Sequence, residues 1–470
     1  MKLRGLVLTA GLLTLAALLL SAPPGGDPRL TGSARGSQQG WITIRLQGGP
    51  GQIGFQHGYL LAHEIEDALA VTKLTLTHDS TRDWAFFRKA AREVLWPRVE
   101  TEYREEMQGI VDGLGAQGVH ADLWDVVVLN ASLELGYYRG WLDKQKKSPA
   151  PDRCSAFVAI GSATKDGKVV IGHNNWSGYL EGERWNILFD IRPARGERMV
   201  MDGFPGFIHS GDDFGINAAG IVITETTITG FHGFDPKGVP EFVRARKAMQ
   251  YSHSIDDFDR IMREGNNGGY ANAWLVADVN ANEIGRLELG LKNVTLERKK
   301  DGVFTGANFP INAKLAEEET DFAVKDPGVS ANARRTRWDK LMEEYRGKID
   351  VAAGKRFLSD HYDVIAGKDN MPSERTLCGH IDLSPRGLKP WTDENGPSGT
   401  VQSKITDAAM ARNMVFDAAM GHPCGIGFHA AAHLKKHPKY AWQKGLLRDM
   451  PSHPWTRFDP GNGGGAVSTQ

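Results

Sequence analysis

Cys154-Ser155-Ala156-Phe157-Val158-Ala159-Ile160-Gly161 is an apolar run opened by a thiol. Its length and residue types predict a buried strand. Just before it lies Lys144-Gln-Lys-Lys-Ser-Pro-Ala-Pro-Asp-Arg153, polar and Pro-containing, which predicts an exposed loop. A thiol at the head of a buried strand, behind a cleavable loop, suits a nucleophile unmasked by cutting the Arg153–Cys154 bond. The cut would leave Cys154 with a free α-amino group. Such an amine titrates near about 7.7–8.0, so close to neutral pH it can act as the base for its own side chain. The competing reading is an ordinary buried thiol, because free cysteine is often buried.

A partner strand follows closely. Val169-Val-Ile-Gly-His-Asn-Asn-Trp176 folds back across Lys165-Asp-Gly-Lys168, a hairpin turn signal. Counting outward from that turn brings residues 173–179 alongside Cys154, so His173, Asn174, Asn175 and Trp176 become its expected neighbours. Further strands are predicted over 41–46, 186–192, 198–202, 220–228, 273–279, 284–289, 294–298 and 303–308. Helices are expected over 55–76, through much of 82–140, and over 239–252, 255–264, 331–346, 355–367 and 404–420. Residues 23–40, rich in Gly, Ser and Pro, read as a disordered lead. Helices, a strand-rich middle and more helices predict a layered α+β domain. The pattern fits a four-layer αββα sandwich without selecting it over other α+β layouts.

The chain has 470 residues and a net charge of −1. That length suits one large domain or two ordinary ones, and the balanced charge argues against nucleic acid as a partner. Met1-Lys-Leu-Arg4 followed by an apolar run to Leu20 predicts a secretory signal, with an uncleaved N-terminal anchor as the alternative. Export implies an oxidising compartment. The three cysteines then divide into a pair, Cys378 with Cys424, expected as a disulfide, and a single reactive thiol, Cys154.

Several patterns were weighed against plainer readings. Gly49-x-Gly51-x-x-Gly54 has the outline of a dinucleotide fingerprint, but Pro50 restricts the turn and no βαβ unit follows, so tight turning and close packing explain the glycines. His422-Pro-Cys424 with His429, His433 and His437 resembles a ligand cluster but fits no zinc spacing well, and no metal is expected. Cys154 with His173 could form a papain-like pair, but papain-like nucleophiles begin helices, and this one opens a strand. Asn308, in Thr305-Gly-Ala-Asn-Phe-Pro310, could donate its amide to an oxyanion. Arg334, Arg335 and Arg337 open a helix and could bind a carboxylate or phosphate, or form a solvated basic face.

Cys154-Ser-Ala-Phe-Val, Gly172-His-Asn-Asn-Trp-Ser177, Ser210-Gly-Asp-Asp-Phe214, Gly220-Ile-Val-Ile-Thr-Glu-Thr-Thr-Ile228 and Gly268-Gly-Tyr-Ala-Asn-Ala-Trp-Leu-Val-Ala-Asp278 resemble blocks of the phospholipase B-like (laminin-ancestor) proteins. A broader likeness runs to penicillin-acylase-like and acyltransferase cysteine enzymes, through Gly51-Gln-Ile-Gly-Phe-Gln-His-Gly58 and Ala307-Asn308-Phe-Pro310. The resemblance implies an N-terminal-nucleophile hydrolase with an αββα fold. It implies Cys154 as nucleophile and self-cleavage site after Arg153, with His173 and Trp176 shaping the site. The acylase-like relatives carry an Arg and an Asp in those two places, so this chain sides with the phospholipase B-like form. Asn308 is implied as oxyanion donor and Arg334 as a helper from the next helix. Thr226 or Thr227, and more weakly Asn272, are implied at the substrate.

The organisation expected from these readings is a signal peptide over 1–22, a segment over 23–153 retained after cleavage, a catalytic domain over 154–458 and a flexible tail over 459–470. The expected activity is hydrolysis of acyl esters of phospholipids, or of amides, through a thioester, without a cofactor. Partners are a small acyl-lipid or acyl-amide substrate and transient membrane lipid, with no nucleic acid. The location is secreted or periplasmic, or lysosomal in a eukaryote. The alternatives are an amide-specific acylase or acyltransferase, and a non-catalytic secreted binding protein on the same fold.

Overall fold

Two sheets lie face to face, and which residues point between them follows from strand alternation. In the computed structural model, which describes residues 27–78, 80–144, 154–211, 214–389 and 391–461, the larger sheet has nine strands that neighbour one another in chain order. They are Ala34–Gln38, Trp41–Gly48, Ile187–Pro193, Met199–Gly203, Gly215–Asn217, Ile221–Thr227, Asn272–Asp278, Glu283–Leu289 and Val294–Lys299. The smaller sheet runs Gly302–Gly306, Ser155–Gly161, Gly167–Gly178, Ser398–Asp407, Phe416–Met420 and Thr456–Phe458. All pairings are antiparallel except Trp41–Gly48 with Ile187–Pro193.

Successive side chains of a strand face opposite ways, and the two faces here join different cores. Ala156, Val158, Ile160, Val169 and Ile171 of the smaller sheet meet Leu188, Val200, Ile216, Val222 and Leu275 of the larger one. The intervening Phe157, Ala159 and Val170 turn outward onto Trp338, Leu341, Phe357 and Leu358 of two covering helices. On the far side, Ile44, Leu46, Ile187, Phe189 and Ile223 pack under the N-terminal helices through Ile53, Ile65 and Val126 to Leu129. Helix, sheet, sheet, helix is the αββα sandwich that the resemblance implies.

Residues before Cys154 are integral to this body. They supply two strands of the larger sheet and most of its helical cover. His57 ties the cover to the sheet, its Nε2 accepting the Gly206 N–H at 3.0 Å. Burial pushes this imidazole down to about 3, so it stays neutral and able to accept.

Three expectations need correction. Helix 404–420 is instead the strand Ser398–Asp407, a short helix Ala408–Arg412 and the strand Phe416–Met420. Its Ala and Met residues favour helix locally, but burial between neighbouring strands overrides that propensity. The helix expected over 355–367 spans Val351–Leu358. Within the expected disordered lead, Ala34–Gln38 pairs with Trp41–Gly48 as the sheet's edge strand. The expected signal segment 1–22 and the expected cleavage loop with Arg153 fall outside the described residues, as does the tail from 462.

The Gly49-x-Gly51-x-x-Gly54 run opens the helix Pro50–Leu60, which lies against Thr101–Ala116. A Cβ on Gly54 would stand 1.9 Å from the Glu106 carbonyl oxygen, and one on Gly58 2.1 Å from that of Ile110. The glycines therefore permit backbone contact between two helices. Gly54→Ala gains about 1 kcal/mol in helix propensity, but the clash is with backbone and cannot be relieved by a rotamer. A net loss of about 1–3 kcal/mol is expected from overpacking, read as a lower urea midpoint. Gly136→Ala, in open space within a helix, should leave the midpoint unchanged or raise it.

Candidate active site

The hairpin places the first candidate neighbours. Ser155 pairs with Asn174 and Ala156 with His173, so Cys154 arrives beside Asn175, as counting from the turn predicts. Cys154 is buried, and its Sγ lies 3.8 Å from Asn175 Oδ1. Its φ is 76°, left-handed backbone that costs a non-glycine residue roughly 1–2 kcal/mol. Asn308, at φ 70°, is the second left-handed residue of the site.

Arg334, on the helix Ser330–Glu344, connects the two. It is wholly buried. Nη1 donates to the Cys154 carbonyl oxygen and, at 3.0 Å, to Ser155 Oγ. Nη2 donates to Asn308 Oδ1 at 3.0 Å and to the Ala307 carbonyl oxygen at 3.3 Å. Nε donates to Ser330 Oγ at 3.1 Å, and the guanidinium lies over the Trp176 ring, 4.2 Å from its centroid. Of the three arginines, this one faces the site. Arg337 instead pairs with Asp360, and Arg335 covers the Phe309 ring.

Asn308 Nδ2 donates to the Thr227 carbonyl oxygen at 2.8 Å. An amide carries two N–H donors, so one remains for a further acceptor. Thr227 Oγ1 bonds to Tyr270 Oη at 3.1 Å. Thr226 turns toward Gly306, where an added Cβ would meet its Oγ1 at 2.7 Å. Asn272, with its amide nitrogen turned inward, donates to Glu225 Oε2 at 2.8 Å.

Glu225 is one of two residues at the candidate site that sequence reasoning missed. One ligand atom each of Cys154, His173 and Glu225 lies within 4.8 Å of the others, all three buried. Its signal was available: a carboxylate in the middle of a strand that is otherwise apolar or Thr. Burial, reinforced by Lys404, holds the His173 imidazole well below its usual range, so it is neutral at pH 7.

Lys404 was missed because it lies in the segment expected as helix. It pairs with His173 across the smaller sheet. Its Nζ lies 2.8 Å from Asp202 Oδ2, with both side chains fully buried. Gln402 Nε2 and Ser210 Oγ donate to the same carboxylate at 2.9 and 3.0 Å. Beside Trp176 a cleft of about 680 Å³ opens, lined by Ser177, Leu388, Trp391, Tyr440 and Trp442 among others.

Cys378 and Cys424 do not form the expected bridge in this structure; both are free thiols. The two thiols interact with each other, and each sulfur also lies near Nε2 of His380, at 3.5 and 3.4 Å. The histidines expected with Cys424 turn elsewhere: His433 Nε2 to the Asn395 carbonyl at 2.9 Å, and His429 Nδ1 to Asp449 at 3.4 Å.

Residues 86–299 match the family model described as Phospholipase B. A "Putative phospholipase B-like 2" of Rattus norvegicus is 28% identical over 321 residues, 59% of this chain and 54% of its own. The chain resembles the phospholipase B-like family. An uncharacterized protein of Archaeoglobus fulgidus is 27% identical over 412 residues, covering 78% of this chain and 65% of its own. The 40 kDa form of acyl-coenzyme A:6-aminopenicillanic-acid-acyltransferase of Emericella nidulans is 24% identical over 266 residues, 53% of this chain and 63% of its own. The chain thus spans between half and two thirds of these relatives' lengths. Cys154, His173, Trp176, Glu225 and Asn272 fall inside the family match, while Asn308 and Arg334 lie just beyond it.

Removing one partner of a buried ion pair typically costs about 3–5 kcal/mol, because the other charge stays buried and unmatched. Lys404→Met should therefore destabilise by that amount in urea unfolding. Adding Asp202→Asn, which removes the stranded charge, should recover a measurable part of the loss.

Proposed function

We propose that this chain is an exported, self-processing N-terminal cysteine hydrolase that cleaves acyl ester or amide bonds through a thioester. The carrying observation is the setting of Cys154: left-handed and buried at the head of its strand, its carbonyl held by Arg334, its thiol beside His173 and Glu225. The likeness to the phospholipase B-like proteins supports the same reading. Export rests on the signal pattern in 1–22.

In processing, Cys154 Sγ attacks the Arg153 carbonyl carbon. The S–C bond forms, the C–N bond breaks, and the thiol proton ends on the freed α-amine. Water then cleaves the thioester, leaving an Arg153 carboxylate and the Cys154 thiol. In turnover the α-amine takes the thiol proton and returns it to the leaving group. The thiolate forms a thioester with the substrate's acyl group, and water releases the acid. The second N–H of Asn308 donates to the oxyanion, and Arg334 holds Asn308 and Cys154 in register. Thr226 or Thr227, and more weakly Asn272, meets the substrate, and the cleft beside Trp176 receives a small acyl lipid or acyl amide. No cofactor enters these steps.

The segment before Cys154 stays with the body after cleavage, because its strands and helices hold one face of the larger sheet. A second reading, transfer of the acyl group to an amine rather than to water, is favoured by the likeness to the Emericella nidulans acyltransferase. A non-catalytic binding protein on this fold is the third reading.

Wild-type protein should run as two fragments on a denaturing gel, one beginning at Cys154, and the two should co-purify under native conditions. Cys154→Ala should remain one chain and lose turnover in a screen of acyl esters and amides. Active protein recovered as an uncut chain would refute self-processing. Asn308→Ala should lower turnover by roughly 10²–10³, the usual cost of a lost oxyanion donor. Unchanged rates of turnover and of cleavage would remove Asn308 from the site.

A further inference from the structure

Behind Trp176, three separate stretches of chain converge with soft donors. His361 follows the helix Val351–Leu358, Cys378 and His380 lie in the loop before Ser398–Asp407, and Cys424 follows Phe416–Met420. One sulfur or ring nitrogen from each lies within 4.8 Å of every other. His380 Nε2 stands 3.5 Å from Cys378 Sγ and 3.4 Å from Cys424 Sγ. A ring nitrogen offers either one N–H or one lone pair, so it cannot serve both sulfurs well as a hydrogen-bond partner. Around a tetrahedral zinc ion, with Zn–S about 2.3 Å and Zn–N about 2.0–2.1 Å, a sulfur and a nitrogen ligand stand about 3.6 Å apart. His361 turns toward Cys424, yet its shielded Nε2 lacks a well-formed hydrogen bond.

We propose that His361, Cys378, His380 and Cys424 bind one Zn²⁺ as a closed, structural Cys₂His₂ site. Two N and two S donors in a compact group select zinc among common divalent ions. Loading releases two thiol protons to solvent. Two thiolates then cancel the ion's charge, which makes a neutral cluster compatible with the full burial of Cys378 and His380. Four protein ligands leave no open position, which marks a structural rather than a catalytic ion. Neighbouring groups stand close to His380, where outer partners of a metal ligand would lie. The His380 ring stacks on His422 at 4.0 Å, and its Nδ1 lies 3.8 Å from Asp382 Oδ1. Asp382 in turn accepts from Tyr179 Oη at 2.8 Å.

The site braces the wall of the candidate active site. Gly379, between two of the ligands, packs so close to Trp176 that a Cβ would come within 2.2 Å of the ring. Asn174 Nδ2 donates to the Leu358 and Leu377 carbonyls at 2.8 and 2.9 Å, and Cys378 N–H donates to the Asp360 carbonyl at 3.1 Å. A metal there would pin the loop backing the strand that carries His173 and Trp176. The proposal does not depend on any role for Cys154.

Elemental analysis of the purified full chain, after exposure to Zn²⁺ alone and gel filtration, should find one zinc per chain. Cys424→Ser and His361→Ala should each lose at least nine tenths of it, whereas Cys154→Ala and His429→Ala should keep it. Replacement by Co²⁺ should give thiolate-to-metal charge-transfer and tetrahedral d–d absorption in the wild type. Should the ligand variants fail to fold, the wild type still decides. A strong chelator should lower its thermal midpoint, and Zn²⁺ should restore it. Native protein that takes up neither metal, a Cys378–Cys424 disulfide in freshly purified material, or full zinc content in folded ligand variants would overturn the assignment.

Discussion

The buried Arg334 guanidinium is the constraint on which the site depends. A charge taken out of water needs its donors satisfied, and Arg334 finds carbonyl, hydroxyl and amide oxygens at Cys154 and Ser155, on the turn after Gly302–Gly306 and on its own helix. Two of the residues it grips, Cys154 and Asn308, hold left-handed backbone. Such conformations persist only where the surroundings over-determine them. One side chain thus holds Cys154 and the amide proposed to face an oxyanion, and carries the Trp176 ring on its flat side.

A second constraint acts between the sheets. The contact there is mostly apolar, and Lys404 with Asp202 forms a buried ion pair within it. Because Lys404 pairs with His173 across the strands, its charge is felt at that imidazole and adds to the effect of burial. The ion pair therefore bears on both sheet registration and the protonation state beside the thiol. The loop over residues 377–381 backs the same strand from the other side, so the walls around Trp176 and His173 are held by polar and soft-donor groups rather than by hydrophobic contact alone.

Much of this was legible in the residues. The turn at 165–168 set the register of the hairpin that begins at Cys154 because side-chain direction alternates strictly, so counting from a turn locates neighbours. His173, Trp176 and Asn308 were found in this way or by resemblance, and the structure brings them to Cys154 or to Arg334. Glu225 was overlooked in a Thr-rich strand. Lys404 was overlooked because Ala and Met nearby masked a strand that only its neighbours stabilise. The Cys378–Cys424 pairing followed from counting thiols, and counting carries no information about the imidazoles that gather beside them.

By itself the sequence determined the alternation of helix and strand, the hairpin that presents Cys154, and the glycines that let two helices touch. Those features depend on local periodicity, turn residues and the absence of a side chain. Tertiary structure alone decided which of three neighbouring arginines turns inward, that Asp202 meets Lys404 across 202 positions of chain, and that four soft donors converge behind Trp176. These partners lie far apart in sequence, so no local pattern encodes their meeting. Only the burial of one sheet against the other, and of helices on both, brings them within bonding distance.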